Sequence, residues 1–144
     1  MDSRRSRTLA AAALLVLALP AAALAGRRVL HGPAGGGSAT VDITLVTKKA
    51  VVKKLTRFEF NNIPASCLGY PPTAVSGTFP HTIFVARDGT FHASMKQNGG
   101  RVTYTVRGRF KDQNRASGTL RVKGTVPGCA SADTGKMHWS AKHN

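Results

Sequence analysis

Five acidic residues follow position 25: Asp42, Glu59, Asp88, Asp112 and Asp133. General acid–base chemistry by paired carboxylates needs two acids held together. Asp88 and Asp112 lie in turn sequences and Asp133 in a loop sequence. Asp42 and Glu59 are expected to face each other across a hairpin, where they offset Lys53, Lys54 and Arg57. No carboxylate active site is expected.

The five histidines are His31, His81, His92, His138 and His143. None has the His-x-His or His-x-x-x-His spacing that presents two imidazoles to one metal, so solvated surface histidines are expected. No serine stands in a Gly-x-Ser-x-Gly elbow. Gly35-Gly36-Gly37 lacks the strand–turn–helix setting of a phosphate-cradling loop. The sequence therefore implies no catalytic residue, no metal and no cofactor.

Charge is the property with functional leverage. The chain has 144 residues and a formal net charge of +15, from 21 Lys+Arg against 6 Asp+Glu. Such a field favours polyanions. Two groups of cations are candidates for anion contact. Lys48, Lys49, Lys53, Lys54 and Arg57 cluster around one hairpin, and Arg107, Arg109, Arg121 and Lys123 fall on the outward rows of two adjacent strands. The competing reading is that these cations only solubilise the surface and blunt sheet edges. Sequence-specific base reading is not expected, because no stacking aromatics are interleaved with the basic rows.

The N-terminus indicates the compartment. Arg4, Arg5 and Arg7 precede an apolar run from Leu9 to Leu19, and Pro20 and Ala23-Leu24-Ala25 follow. That is the grammar of a Sec-type signal peptide over residues 1–25, helical before cleavage after Ala25. The run is short for a bilayer span, so no transmembrane segment is expected after cleavage. In an oxidising compartment, Cys67 and Cys129 are expected to form a disulfide. On the chain-entropy model, a bridge over such a loop is worth about 4 kcal/mol.

Residues 26–39, with Gly35-Gly36-Gly37, have no periodicity and read as a flexible lead. From residue 40 to 144 the apolar period is two, with no 3.6-residue pattern. Strands are expected at Val41–Val46, Val51–Phe60, Thr82–Ala86, Thr90–Met95, Arg101–Phe110, Ala116–Lys123 and Met137–Ala141. Lys48-Lys49, Arg87-Asp88-Gly89, Asn98-Gly99-Gly100 and Lys111–Asn114 are the turns, and a bulge is expected near Lys53-Lys54. The segment 61–80, rich in proline, reads as an irregular connection tied by Cys67 to a loop at Cys129. Tyr70, beside Pro71-Pro72, is a candidate contact at the tip of that loop. The fold class is all-β: an antiparallel β-sandwich or flattened barrel of about seven strands with one disulfide. Trp139 follows the second cysteine, so immunoglobulin topology is disfavoured.

Gly108-Arg109-Phe110, then Ala116-Ser-Gly-Thr-Leu-Arg121, Cys129 and Trp139-Ser-Ala141 form a pattern. It resembles a group of small secreted β-sandwich proteins abundant in actinobacteria. The lysine-rich stretch from Lys48 to Cys67 fits the same group. Cys129-Ala-Ser-Ala-Asp-Thr-Gly135 is longer than the group's usual Cys-x-Thr-Gly. The resemblance implies a fold and no activity.

Together these features suggest a secreted, non-catalytic domain that binds an anionic envelope polymer or another polyanion. The alternatives are an extracellular hydrolase, or a protein inhibitor acting through the 61–80 segment.

Overall fold

The structure is a computed structural model that describes residues 26–144. The expected signal peptide and its cleavage site after Ala25 lie outside the described residues. Ten strands follow in order: β1 (Gly26–Pro33), β2 (Thr40–Lys48), β3 (Val51–Cys67), β4 (Tyr70–Phe79), β5 (Ile83–Phe84), β6 (Thr90–Gln97), β7 (Val102–Asp112), β8 (Arg115–Val126), β9 (Cys129–Asp133) and β10 (Met137–Lys142). All pair antiparallel in one sheet ordered β10-β1-β2-β3-β9-β8-β7-β6. Because β10 also pairs with β8, strands β1, β2, β3, β9, β8 and β10 form a closed circuit of pairings. Beyond that circuit, β6 and β7 extend from β8, while β4 and β5 extend from β3. Among the described residues, no helix is long and apolar enough to cross a membrane.

Period-two alternation delivers the core. Val41, Ile43 and Leu45 of β2, Phe58 and Phe60 of β3, and Val102, Tyr104 and Val106 of β7 are all buried. The rings of Phe60 and Tyr104 meet edge to face at 5.1 Å, and those of Phe58 and Trp139 at 5.4 Å. These pairs join β3 to β7 and to β10, so the aromatic cluster locks both sides of the sheet together. Gly108 and Gly118 lie directly opposite each other across β7 and β8. Their missing side chains leave a trough filled by Trp139: a Cβ on Gly118 would stand 2.7 Å from its Cζ2.

Residues 26–39 are not a flexible lead. Gly26–Pro33 pair one-for-one with β2, and Leu30, Ala34 and Ala39 are buried. The inward row of this strand is Leu30, Gly32 and Ala34, too small to produce an apolar period. Gly32 is required by proximity, since a Cβ there would lie 2.8 Å from the Ala141 Cα. The 61–80 segment is likewise a hairpin, with β3 continuing to Cys67 and β4 returning from Tyr70. Pro71 and Pro72 are tolerated because β4 is an edge strand bonded only to β3, whereas Pro64 lies within β3 and Pro80 just follows β4. The β3 alternation survives a bulge at Asn61-Asn62, where Asn62 takes φ 54°.

Thr82–Ala86 and Thr90–Met95 do not form a simple hairpin. β5 pairs with Lys54 and Leu55 of β3, whereas β6 pairs with β7. The Asp88-Gly89 turn therefore passes the chain between two parts of the sheet, with the Thr90 N–H bonded to the Asp88 carboxylate at 3.0 Å. The first hairpin turns at Lys49-Ala50, one residue later than the Lys48-Lys49 reading, and a register shift at Val46/Thr47 leaves Lys53 bulged.

Cys67 and Cys129 are bonded, with Cα atoms 5.8 Å apart and a sequence separation of 62. They are strand ends rather than loop residues, closing β3 and opening β9. Here β3 and β9 share only the pairs Ser66↔Asp133 and Cys67↔Ala132. The bridge reinforces one of the thinnest seams of the circuit.

Candidate anion-binding face

Strands β7 and β8 stay in register from Val102↔Gly124 to Phe110↔Ala116. With apolar residues facing in, Thr103, Thr105, Arg107 and Arg109 of β7 face out beside Ser117, Thr119, Arg121 and Lys123 of β8. Strand β6 widens the face, placing Lys96 opposite Thr103, Ser94 opposite Thr105 and His92 opposite Arg107. On the other flank β10 sets His138 opposite Thr119 and Ser140 opposite Ser117. The result is a four-strand surface of cations, imidazoles and hydroxyls with no outward apolar side chain.

Sheet geometry sets the spacing. Arg107 is a diagonal neighbour of Arg121 at roughly 7–8 Å, and Lys96 and Lys123, on either side of Thr103, are roughly 10 Å from each other. Two shallow depressions adjoin on this surface. One, of 290 Å³, lies among Thr103, Thr105, Arg121 and Lys123. The other, of 440 Å³, lies among Thr105, Arg107, Thr119, Arg121 and Lys136. Thr105 and Arg121 border both.

The cations of the face are not equivalent. Arg121 donates to Asp133 twice, from Nε at 3.0 Å and from Nη2 at 2.6 Å. This contact holds the Asp133 carboxyl below its ordinary range and raises Arg121. It also fixes the guanidinium plane and leaves three of its five N–H donors for a ligand. Arg109 reaches Asp88 only at 3.5 Å. Asp88 is itself held low chiefly by the Thr90 hydroxyl and N–H, with Arg109 contributing less. Among the described residues, Arg107, Lys123, Lys96 and Lys136 make no ion pair.

Elsewhere the acids are spoken for as well. Asp42 contacts His31 Nδ1 at 2.7 Å, Glu59 contacts Arg57 at 2.7 Å, and Asp112 contacts Arg115 at 2.8 Å. Asp42 and Glu59 are direct neighbours across β2 and β3, and each has its own basic partner. The remaining histidines are dispersed: His81 follows β4, and His143 Nδ1 bonds the Val29 carbonyl at 2.9 Å. Among the described residues, no three His, Cys, Asp or Glu side chains could hold a metal ion.

The lysine hairpin is organised differently. Lys49 and Ala50 occupy its turn with φ of 51° and 61°. Register shifts at Thr44/Leu45 and Val46/Thr47 break the alternation of β3. Both Val52 and Leu55 remain buried with the extra residue between them, so the bulge leaves Lys53 and Lys54 together on the outward side, while Arg57 is held by Glu59. Lys48, Lys49, Lys53, Lys54 and Arg57 are close along the chain without forming a row on one ladder.

Tyr70 stands beside the disulfide as the first residue of β4, opposite Cys67, and is 67% exposed; neighbouring Leu68 is 81% exposed. Lys96 and Lys136 were missing from the sequence-derived candidates. Lys96 is recoverable from the period-two pattern of Thr90–Gln97, whereas Lys136 joins the face only through the way β10 docks. Comparison with protein-family models, curated proteins and solved structures gives no match.

Proposed function

We propose that the protein is a secreted, non-catalytic domain that binds an anionic polymer across the outward face of β6, β7, β8 and β10. The observation carrying this reading is the in-register surface on which Lys96, Arg107, Arg121 and Lys123 each stand directly opposite Thr103, Thr105 or Thr119. Regularly spaced cations neutralise successive phosphates or sulfates, while the hydroxyls bond ester or sugar oxygens between them. Export by the N-terminal leader and affiliation with the small secreted actinobacterial group belong to the same proposal. The closed circuit of pairings favours the flattened-barrel form of the fold over the sandwich.

The test is retention on heparin, a teichoic-acid-like polymer and DNA across a salt series. The double variant Arg107→Glu/Lys123→Glu should elute at much lower salt. On DNA, the slope of log affinity against log salt should fall by about 2, from two lost phosphate contacts. Lys48→Glu/Lys49→Glu should have the smaller effect. Unchanged retention of the face variant would sink the proposal. A second reading, a protein contact through the tip at Leu68 and Tyr70, rests on the exposure of both side chains. A stoichiometric complex with a protease, lost in Tyr70→Ala, would favour it.

A further inference from the structure

The circuit has a second thin seam, between β1 and β10. These strands share the pair His31↔Lys142 and the single bridge Ala34↔Trp139. Beside it opens a cleft of about 580 Å³ whose lining includes Gly32, Ala39, Ala116, Ser117, Ser140 and Ala141. This volume lies within the range of small-molecule sites. Gly32, Ala39, Ala116 and Ala141 are buried and small, so no bulky side chain of theirs fills the space where they line the cleft. Small side chains on opposed strands thus leave an apolar floor.

The rim is cationic. Across β8, β10 and β1 the register sets Arg115 opposite Lys142 and Lys142 opposite His31. Basic groups directly opposite one another destabilise a sheet unless something compensates them. The outer two are compensated: Arg115 donates to Asp112 from Nε at 3.0 Å and from Nη2 at 2.8 Å, and His31 contacts Asp42 at 2.7 Å. Lys142, in the middle, has no ion-pair partner among the described residues. Lys111, also on the rim, has none either. Ser117 and Ser140, which are directly opposed residues, also line the cleft.

The walls are tied in place. Arg28 donates to the Asn114 side chain at 2.6 Å, and the His143 N–H bonds the Asn114 carbonyl at 2.8 Å. These bonds hold the tail and the β7–β8 turn against β1, so the cleft exists before any ligand arrives.

We infer that this cleft is a binding site for a small organic anion with an apolar body, its carboxylate or sulfonate head held by Lys142 and Lys111 and its body on the Gly/Ala floor. The site adjoins the polymer-binding face at Ser117 and Ser140 but does not depend on that reading. The test uses 8-anilinonaphthalene-1-sulfonate as the probe. Trp139, the sole tryptophan, belongs to the same strand as Ser140, Ala141 and Lys142, so energy transfer from it reports on dye bound there.

One dye per chain is expected, displaced by decanoate but not by decyltrimethylammonium. Lys142→Gln and Lys111→Gln should each weaken binding by about fivefold, the scale of one exposed ion pair. Lys142→Glu should weaken it further, and Lys96→Glu, on β6, should leave it unchanged. Near-ultraviolet circular dichroism of Trp139 identifies variants that remain folded. Equal displacement by the cationic amphiphile, an equal loss in Lys96→Glu, or full affinity in folded Lys142→Glu would each overturn the assignment. So would displacement by anionic vesicles but not by decanoate.

Discussion

The two seams of the strand circuit solve one problem in opposite ways. Between β3 and β9, two residue pairs are supplemented by the Cys67–Cys129 bond. Between β1 and β10, an equally sparse pairing is supplemented without a covalent bond, by close backbone approach that Gly32 permits at Ser140 and Ala141 and by the hydrogen bond from the Gly35 N–H to the His138 carbonyl at 2.8 Å. A covalent staple closes its seam whatever side chains surround it. Closure by approach demands small residues, and small residues leave a hollow. The difference teaches that a sparse junction can become either a strut or a site, depending on what holds it.

Removing the staple should produce the largest effect. Cys67→Ser/Cys129→Ser is expected to lose about 4 kcal/mol in urea unfolding, because the denatured chain regains the entropy of a 62-residue separation. Hydrogen exchange should then rise first at the β3–β9 pairs and at Lys123↔Asp133. Uniform loosening would mean that the seam has no local role.

The opposite seam can be wedged. Gly32→Ala places a methyl group against the backbone of Ser140 and Ala141 and should cost about 2 kcal/mol, together with dye binding in the adjoining cleft. A neutral substitution would show that β10 can move aside and that closure there is loose.

A change remote from both seams calibrates the comparison. Ala50→Gly relieves a left-handed conformation at the lysine turn and should stabilise the chain by about 1 kcal/mol. Polymer retention and dye binding should both stay as they were.

The smallest effect concerns the ion pair beside the stapled seam. Asp133 titrates lower when folded because Arg121 hydrogen-bonds it, so its contribution is complete at neutral pH. That contribution fades as pH falls through the ordinary carboxylate range toward the depressed folded value. Asp133→Asn should therefore cost no more than about 1 kcal/mol at pH 7 and nothing at strongly acid pH. A difference that persists in acid would assign the effect to packing instead of charge.

Much of the sheet was legible because residues such as Val102, Tyr104 and Val106 alternate with Thr103, Thr105 and Arg107. That alternation directly encodes a half-buried strand. The same pattern placed Arg107, Arg109, Arg121 and Lys123 on one outward face. It failed at Gly26–Pro33, where the buried row runs from Leu30 through Gly32 to Ala34 just beyond the strand and packing relies on proximity instead of bulk. It failed again at 61–80, since proline signals a break even where an edge strand accommodates it. Around Lys53 and Lys54 the period of two is interrupted, because a bulge adds a residue to one strand and lets two successive side chains share a side.

Taken alone, the sequence determined the all-β class, the cysteine pairing, the basic surplus and the outward row on β7 and β8. Each follows from local periodicity, residue count or composition. Only the tertiary structure decided that β10 docks on both β8 and β1, that Lys96 and Lys136 join the face, and that Lys142 stands between Arg115 and His31. Those outcomes depend on pairings between strands distant along the chain, and a period of two says which way a side chain points but not which strand will lie beside it.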